Sequence, residues 1–285
     1  MIFVNETLSY TTLKERNLFE QFIYNRRYLK NANVTLTYVN DDNSPYLFIS
    51  NPIIISAFAG YVKNRYPGKN IYFRGEAGNH PYVVPSLFRD GASVLTDGGD
   101  IQNRYKAYKE LKRITIAYFK KKVSRFRDED VDILFQHYGI KSPVIDMVDN
   151  IYVATWFAMD GNKDKFGYIR LMDTSNDDLS VFDLRKLNSS LSLRLHTQHG
   201  LIAKKKITRW TKNNIYFDSY EIARIKFPVK RNIPGGTLFS HQNIYPGIEL
   251  DNTYKILKQS SWFADATVDT EKKYGLAPGI LGRVN

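Results

Sequence analysis

Apolar residues recur at helical spacing in residues 11–27, where Leu13, Leu18, Phe19, Phe22 and Ile23 follow a threonine-rich start suited to capping, and a packed amphipathic helix is predicted there. Residues 33–39 alternate like a strand and run into the polar turn cluster 40–45. Residues 52–66 read as a second helix, stopped by Pro67-Gly68 ahead of the β-prone run that begins at Ile71. The longest helical pattern spans residues 100–126. A further helix over 128–138 opens with Asp128, Glu129 and Asp130, whose charges suit the positive end of the helix dipole, and stops at Gly139. Another starts at Asp149 or Asn150, natural caps, and runs to Met159. Residues 167–172 read as a strand followed by a polar turn over 173–178, and beyond Ser180 the elements shorten, with strands predicted at 214–217 and 222–227. No repeat and no linker interrupts this pattern, so one mixed α+β domain is expected, with an N-terminal helical part and a small mixed or antiparallel sheet. Residues 1–50 are expected to form an extension packed on a main domain at 51–265, with a tail at 266–285.

Composition narrows the chemistry. With 285 residues, 43% of them hydrophobic and 25% charged, the chain resembles ordinary folded soluble proteins. It contains no cysteine, which excludes disulfides, thiolate zinc sites and cysteine nucleophiles. The five histidines, His80, His137, His196, His199 and His241, form no metal-ligand spacing, and no metal is expected. No window reaches the roughly 18 apolar residues of a spanning helix, nor does the N-terminus resemble a leader, so a cytoplasmic protein without a membrane partner is expected. A net charge of +12 biases the surface towards polyanions, DNA or RNA among them. Residues 100–127 carry ten lysines and arginines, Lys106, Lys109 and Lys120 among them. They either contact phosphates or form a solvated face. The cluster at residues 204–209 reads as an exposed basic loop.

The candidate chemistry begins at Ile71-Tyr-Phe-Arg-Gly-Glu76, where Arg74 ends an apolar strand pattern. A guanidinium there can grip a phosphate or carboxylate with two parallel hydrogen bonds, while Gly75 admits a ligand or a neighbouring backbone. Arg89 offers a second anion contact or braces a loop carbonyl. Gln136, His137 and Tyr138 end a helix at a glycine turn close in sequence to Ser142, and they either line a pocket or belong to the core.

Taken in order, Phe73-Arg-Gly75, Tyr82-Val-Val-Pro-Ser-Leu-Phe-Arg89, Gln136-His-Tyr-Gly139 with Ser142-Pro-Val-Ile-Asp146, and Ala154-Thr-Trp-Phe-Ala158 resemble the FRG domain family. The resemblance continues more weakly through Gln198-His-Gly200 and Ile244-Tyr-Pro-Gly247. Ser142-Pro143 stands where the family often has Thr-Arg, and Met147 where it often has a tryptophan. Arg-Gly at the end of an early strand is also similar to the first motif of the arginine-serine-glutamate group of ADP-ribosyltransferases. That similarity implies an ADP-ribosyltransferase-like fold with NAD as co-substrate: Arg74 and Gly75 at the pyrophosphate, Ser142 at the nicotinamide ribose and a late acid at the transition state. The chain has neither Ser-Thr-Ser nor Glu-x-Glu, so the acid is open between Glu249 and Asp146. A carboxylate is needed because nicotinamide departure leaves positive charge on the ribose carbon. The alternatives are a surface role for Glu249 and helix capping for Asp146.

Two functions compete on these residues. One is an NAD-dependent transferase acting on nucleic acid or protein, with a toxin or phage-defence role implied by the resemblance. The other is a non-catalytic nucleic-acid-binding module using the basic helix.

Overall fold

The computed structural model describes Leu18, Phe22 and residues 36–41, 44–50, 52–91, 93–121, 128–186, 193–198, 200–229 and 240–284. In chain order its strands are β1 (Leu36–Asp41), β2 (Ser44–Ile49), β3 (Ile71–Glu76), β4 (Arg89–Asp90), β5 (Ser93–Val94), β6 (Ile145–Val148), β7 (Phe166–Asp173), β8 (Leu179–Asp183), β9 (Gly200–Lys205) and β10 (Glu221–Pro228). The helices are α1 (Pro52–Arg65), α2 (Gly98–Lys120), α3 (Asp128–His137), α4 (Ile151–Met159), α5 (Leu193–Thr197), α6 (His241–Ile244), α7 (Asn252–Gln259) and α8 (Ser261–Lys273). The class is α+β with a mixed sheet, as expected. No helix among the described residues is long and apolar enough to cross a membrane. Of the first predicted helix, only Leu18 and Phe22 fall among the described residues, both helical and buried.

The chain weaves between two compact units, each made of three separate segments. The first comprises residues 1–81, 147–176 and 219–240. Its sheet runs β1-β2-β10-β7-β3 and ends on the Val148 end of β6. The β2–β10 pair is parallel; β1–β2, β10–β7, β7–β3 and β3–β6 are antiparallel. Because side chains alternate across a strand, each central strand has one apolar face. Phe73, Ile169, Leu171, Ala223, Ile225 and Phe227 all lie on it, in one core cluster with Phe58, Val62 and Ala154 from α1 and α4. Burying such a side chain contributes roughly 1.5–3 kcal/mol each, and that fixes the strand register.

The second unit comprises residues 82–146, 177–218 and 241–285. Asp97 caps α2 by accepting from Asp100 N at 2.9 Å. The helix buries Ala107, Tyr108, Leu111 and Phe119, and α3 buries Ile133, Leu134 and Phe135. Tyr108 meets Phe135 edge-on at 5.8 Å, and Phe135 meets Phe263 of α8 at 5.9 Å. β8 and β9 pair antiparallel.

Four expectations are corrected. The polar cluster 40–45 does not stay a turn, since Ser44 and Pro45 already belong to β2. Residues 214–217 are turn and irregular backbone rather than a strand: the buried Ile215 and Phe217 alternate with the half-buried Asn214 and Tyr216, but the carbonyls of Asn214 and Tyr216 accept from Lys205 Nζ at 3.0 and 2.6 Å instead of from a partner strand. Lys204 and Lys205 therefore belong to β9, not to an exposed loop, and Lys204 Nζ donates to the buried Asp132 at 2.7 Å. The segment read as a tail begins inside α8 and includes the buried Leu281.

Candidate functional site

The period-two face opposite the first unit's core carries arginines. Register places Arg74 of β3 across from Arg170 of β7, and Arg170 across from Arg224 of β10, so three guanidiniums stand side by side across three neighbouring strands. Like charges directly opposite one another repel, and the row exists because two carboxylates thread through it. Glu76, two residues from Arg74 on the same face, accepts from Arg74 Nε at 2.9 Å and from Arg170 Nε at 2.7 Å. Glu221 accepts from Arg170 Nη1, and from Arg224 Nε and Nη2 at 2.8 and 3.0 Å. Arg170 Nη2 donates to the His80 carbonyl, and Arg224 Nη1 to Asn79 Oδ1 at 3.3 Å. Burial would raise the Glu76 carboxyl, but the guanidiniums of Arg170 and Arg74 outweigh it and bring the pKa down to about 2. The side chain of Arg170 is 0% exposed, that of Arg224 5% and that of Arg74 15%. Arg74 is thus the member of the row that reaches water, with its plane set through Nε by Glu76.

Gly75 has a packing reason. A Cβ there would collide with the Ala154 carbonyl of α4 and lie 3.0 Å from Ala158 N. Ala154 and Ala158 are four residues apart on one helix face, so the Arg-Gly and Ala-Thr-Trp-Phe-Ala motifs are two sides of one close strand-to-helix contact. The neighbouring backbone, rather than a ligand, is what approaches.

The second unit collects Gln136, His137, Ser142 and Asp146. The last turn of α3 closes with Gly139 at φ +92° and Ile140 N donating to Phe135 O at 2.9 Å. Gln136 then bridges, with its Oε1 accepting from Ser142 Oγ and its Nε2 donating to Asp146 Oδ2 at 2.6 Å. Ser86 joins by accepting from Ser142 N at 3.1 Å. Asp146 lies on β6, and the cap of α4 is Asn150, which accepts from Tyr152 N; the capping role open for Asp146 is corrected.

Beside it, His137 Nδ1 lies 2.7 Å from Gln198 Oε1, and Gln198 Nε2 donates to the Ile244 carbonyl at 3.0 Å. That second bond fixes the amide so that its oxygen faces the ring. The proton therefore sits on Nδ1, and Nε2 presents a lone pair, shielded from water and without a hydrogen bond among the described residues. Burial holds the imidazole below its ordinary pKa, opposed by the Asp146 carboxylate. Gln198 and Ile244 come from the two weaker motifs, and their convergence on His137 was not readable from spacing.

Three expected residues sit elsewhere. Tyr138 is fully buried: its hydroxyl donates to Asp251 at 2.6 Å, its ring stacks on Tyr254, and the Arg194 guanidinium lies over it at 5.2 Å. It belongs to the core, and the pocket-lining role open for it is corrected. Glu249 is exposed, whereas Asp251 is the built-in acid of that segment, capping α7 through Tyr254 N and accepting from Arg194 N at 3.2 Å. Arg89 opens β4, and its carbonyl accepts from Lys141 Nζ at 3.2 Å. The described residues contain no cluster of metal-ligating side chains.

Among family models, that of the FRG domain matches residues 69–166, which include Arg74, Gln136, His137, Ser142 and Asp146. Neither a curated protein nor a solved structure matches the chain.

Proposed function

With residues 69–166 an FRG domain, we propose that the protein is an ADP-ribosyltransferase-like enzyme with NAD as co-substrate. The observation that carries this reading is the arginine row of β3, β7 and β10 with Arg74 at its water-facing end. A dinucleotide's pyrophosphate is a compact dianion, and an oriented guanidinium on a rigid strand is the side chain best matched to it. Glu76 does for Arg74 what an orienting partner must: it holds the plane and keeps the charge without losing its own ionisation.

The resemblance to the ADP-ribosyltransferases assigns ribose positioning to Ser142 and charge stabilisation to Asp146. Both are fixed by Gln136, so neither side chain has to be ordered when a ligand arrives. His137, neutral with a bare Nε2, is a hydrogen-bond acceptor for a ligand hydroxyl or carboxamide N–H.

The test is nicotinamide release from NAD, measured with a mixed protein and nucleic-acid extract as acceptor. Wild type is expected to release nicotinamide, Arg74→Ala to lose at least about tenfold through KM, and Asp146→Asn to lose about a hundredfold through kcat. Equal, background-level release from wild type and Arg74→Ala overturns the reading.

A further inference from the structure

The formal charge of +12 is not spread evenly over the lysines and arginines. Many of them work inside the fold. Lys112 and Lys204 both donate to the buried Asp132, Arg104 pairs with Asp90, and Lys205 holds two carbonyls. On α2 the division is geometric. Ala107, Tyr108, Leu111, Thr115 and Phe119 face the interior, while Lys106, Lys109, Arg113 and Lys120 are all exposed. At 100° per residue those four positions fall within a narrow stripe, and at 1.5 Å per residue the stripe is about 21 Å long.

We propose that this face of α2 is a docking surface for the phosphate backbone of a nucleic acid. The occupant is chosen by charge complementarity and shape. The stripe is straight, rigid and cationic, and its interleaved exposed residues, Asn103 and Ala117, are small and neutral. Glu110 is the acid beside it, and Arg113 and Lys273 both neutralise it, at 2.9 Å each. Lys120 has a second acid near, Asp128 at 3.6 Å, in a solvent-exposed pair that a phosphate can replace. A bilayer is a poor fit because a membrane-surface helix must insert an apolar face, and the apolar face of α2 is already in the core. A folded protein partner is a poor fit because the stripe offers no aromatic or aliphatic anchor. Phosphates recur every few ångströms along a strand, so a stripe of this length meets several at once. This surface stands apart from the NAD reading and survives its failure.

The experiment is fluorescence anisotropy with a labelled 20-nucleotide RNA and a 20-base-pair DNA duplex over a salt series, together with flotation on vesicles containing phosphatidylserine. Wild type is expected to bind an oligonucleotide with a log–log salt slope of about 3, and the triple variant Lys106→Glu, Lys109→Glu, Lys120→Glu to weaken binding at least about tenfold and lower the slope by about 2. A control with the same change of charge on exposed lysines outside the stripe, Lys163→Glu, Lys206→Glu, Lys212→Glu, is expected to bind within about threefold of wild type. Equal weakening in both triple variants, binding indifferent to salt, or binding to vesicles alone overturns the proposal. Circular dichroism of each variant establishes that the fold is retained.

Discussion

Two polar clusters, each with members in the matched segment, behave in opposite ways. In the first unit, Arg170 is shut away from water and three of its nitrogens each have a partner: Glu76, Glu221 and the His80 carbonyl. In the second, His137 keeps a buried lone pair with no donor to meet it among the described residues, on a ring locked in one tautomer by Gln198. The first arrangement is a brace with one open end: each carboxylate is shared between two guanidiniums, and the most exposed of the three is Arg74. The second resembles a prepared acceptor, because an unsatisfied buried nitrogen costs about 1–3 kcal/mol that a purely structural site would avoid by using another residue. Saturation, as at Arg170, marks what holds the fold; an exposed end such as Arg74 or unmet capacity such as His137 Nε2 marks what is left for a ligand.

The largest expected effect breaks the brace. Arg170→Met removes the guanidinium shared by both carboxylates, though Glu76 keeps Arg74 and Glu221 keeps Arg224. The cost is therefore expected near the lower end of that for a broken buried ion pair, about 3 kcal/mol, read from the midpoint of urea unfolding. Acid sharpens the same test. Glu76 has a folded pKa of about 2, below the unfolded carboxyl near 4.5, so its stabilisation is complete above pH 4.5 and is lost as pH falls towards 2. In the variant the carboxyl loses its main compensating charge and titrates closer to 4.5, so acid unfolding is expected to begin at higher pH. Unchanged stability and an unchanged acid limb would show that the row braces nothing.

A smaller effect tests whether Gly75 belongs to the brace or to a ligand. Gly75→Ala drives a methyl into the Ala154 carbonyl, a backbone atom that cannot swing aside, so a loss of about 2–3 kcal/mol is expected with no dependence on added NAD. A variant as stable as wild type that fails only in NAD binding would reverse that assignment.

How much of this was legible follows from the range of each interaction. β3, α1, α3 and α4 were readable because their signals are local: Pro67-Gly68 after α1, three acids at the start of α3, Gly139 at its end and Asn150 before α4. Arg74 was readable as the end of an apolar strand. Its row was not, since β3, β7 and β10 are about a hundred and fifty residues apart at their extremes, and no residue near Arg170 or Arg224 announces which strand it will face. The same limit hid Gln198 behind His137, sixty-one residues away. α7 and α8 escaped notice for a different reason. They are adjacent, with Ser260 alone between them, and two patterns in immediate succession blur the helical period. Lys204 shows how charge misleads: a lysine run signals exposure until a buried carboxylate such as Asp132 takes one of its members inward.

The smallest effect probes the prepared acceptor directly. Gln198→Leu removes the bond to His137 Nδ1 and leaves the Ile244 carbonyl to the longer bond from Thr197 Oγ1 at 3.4 Å, for an expected loss of about 1–2 kcal/mol. Stability alone would not separate an acceptor from a strut, but the ring's nitrogens do. In wild type, long-range proton–nitrogen NMR spectra are expected to show a single neutral tautomer protonated at Nδ1. In the variant they are expected to show a mixture, because nothing then selects the nitrogen that keeps the proton. The His137 pKa, already lowered by burial, should fall further, since the Gln198 bond was one of the interactions raising it. Below the unfolded histidine value near 6.5 the neutral ring costs stability as pH falls, and that slope should persist in the variant. A wild-type spectrum with the proton on Nε2 would remove the bare lone pair, and with it the contrast between the two clusters.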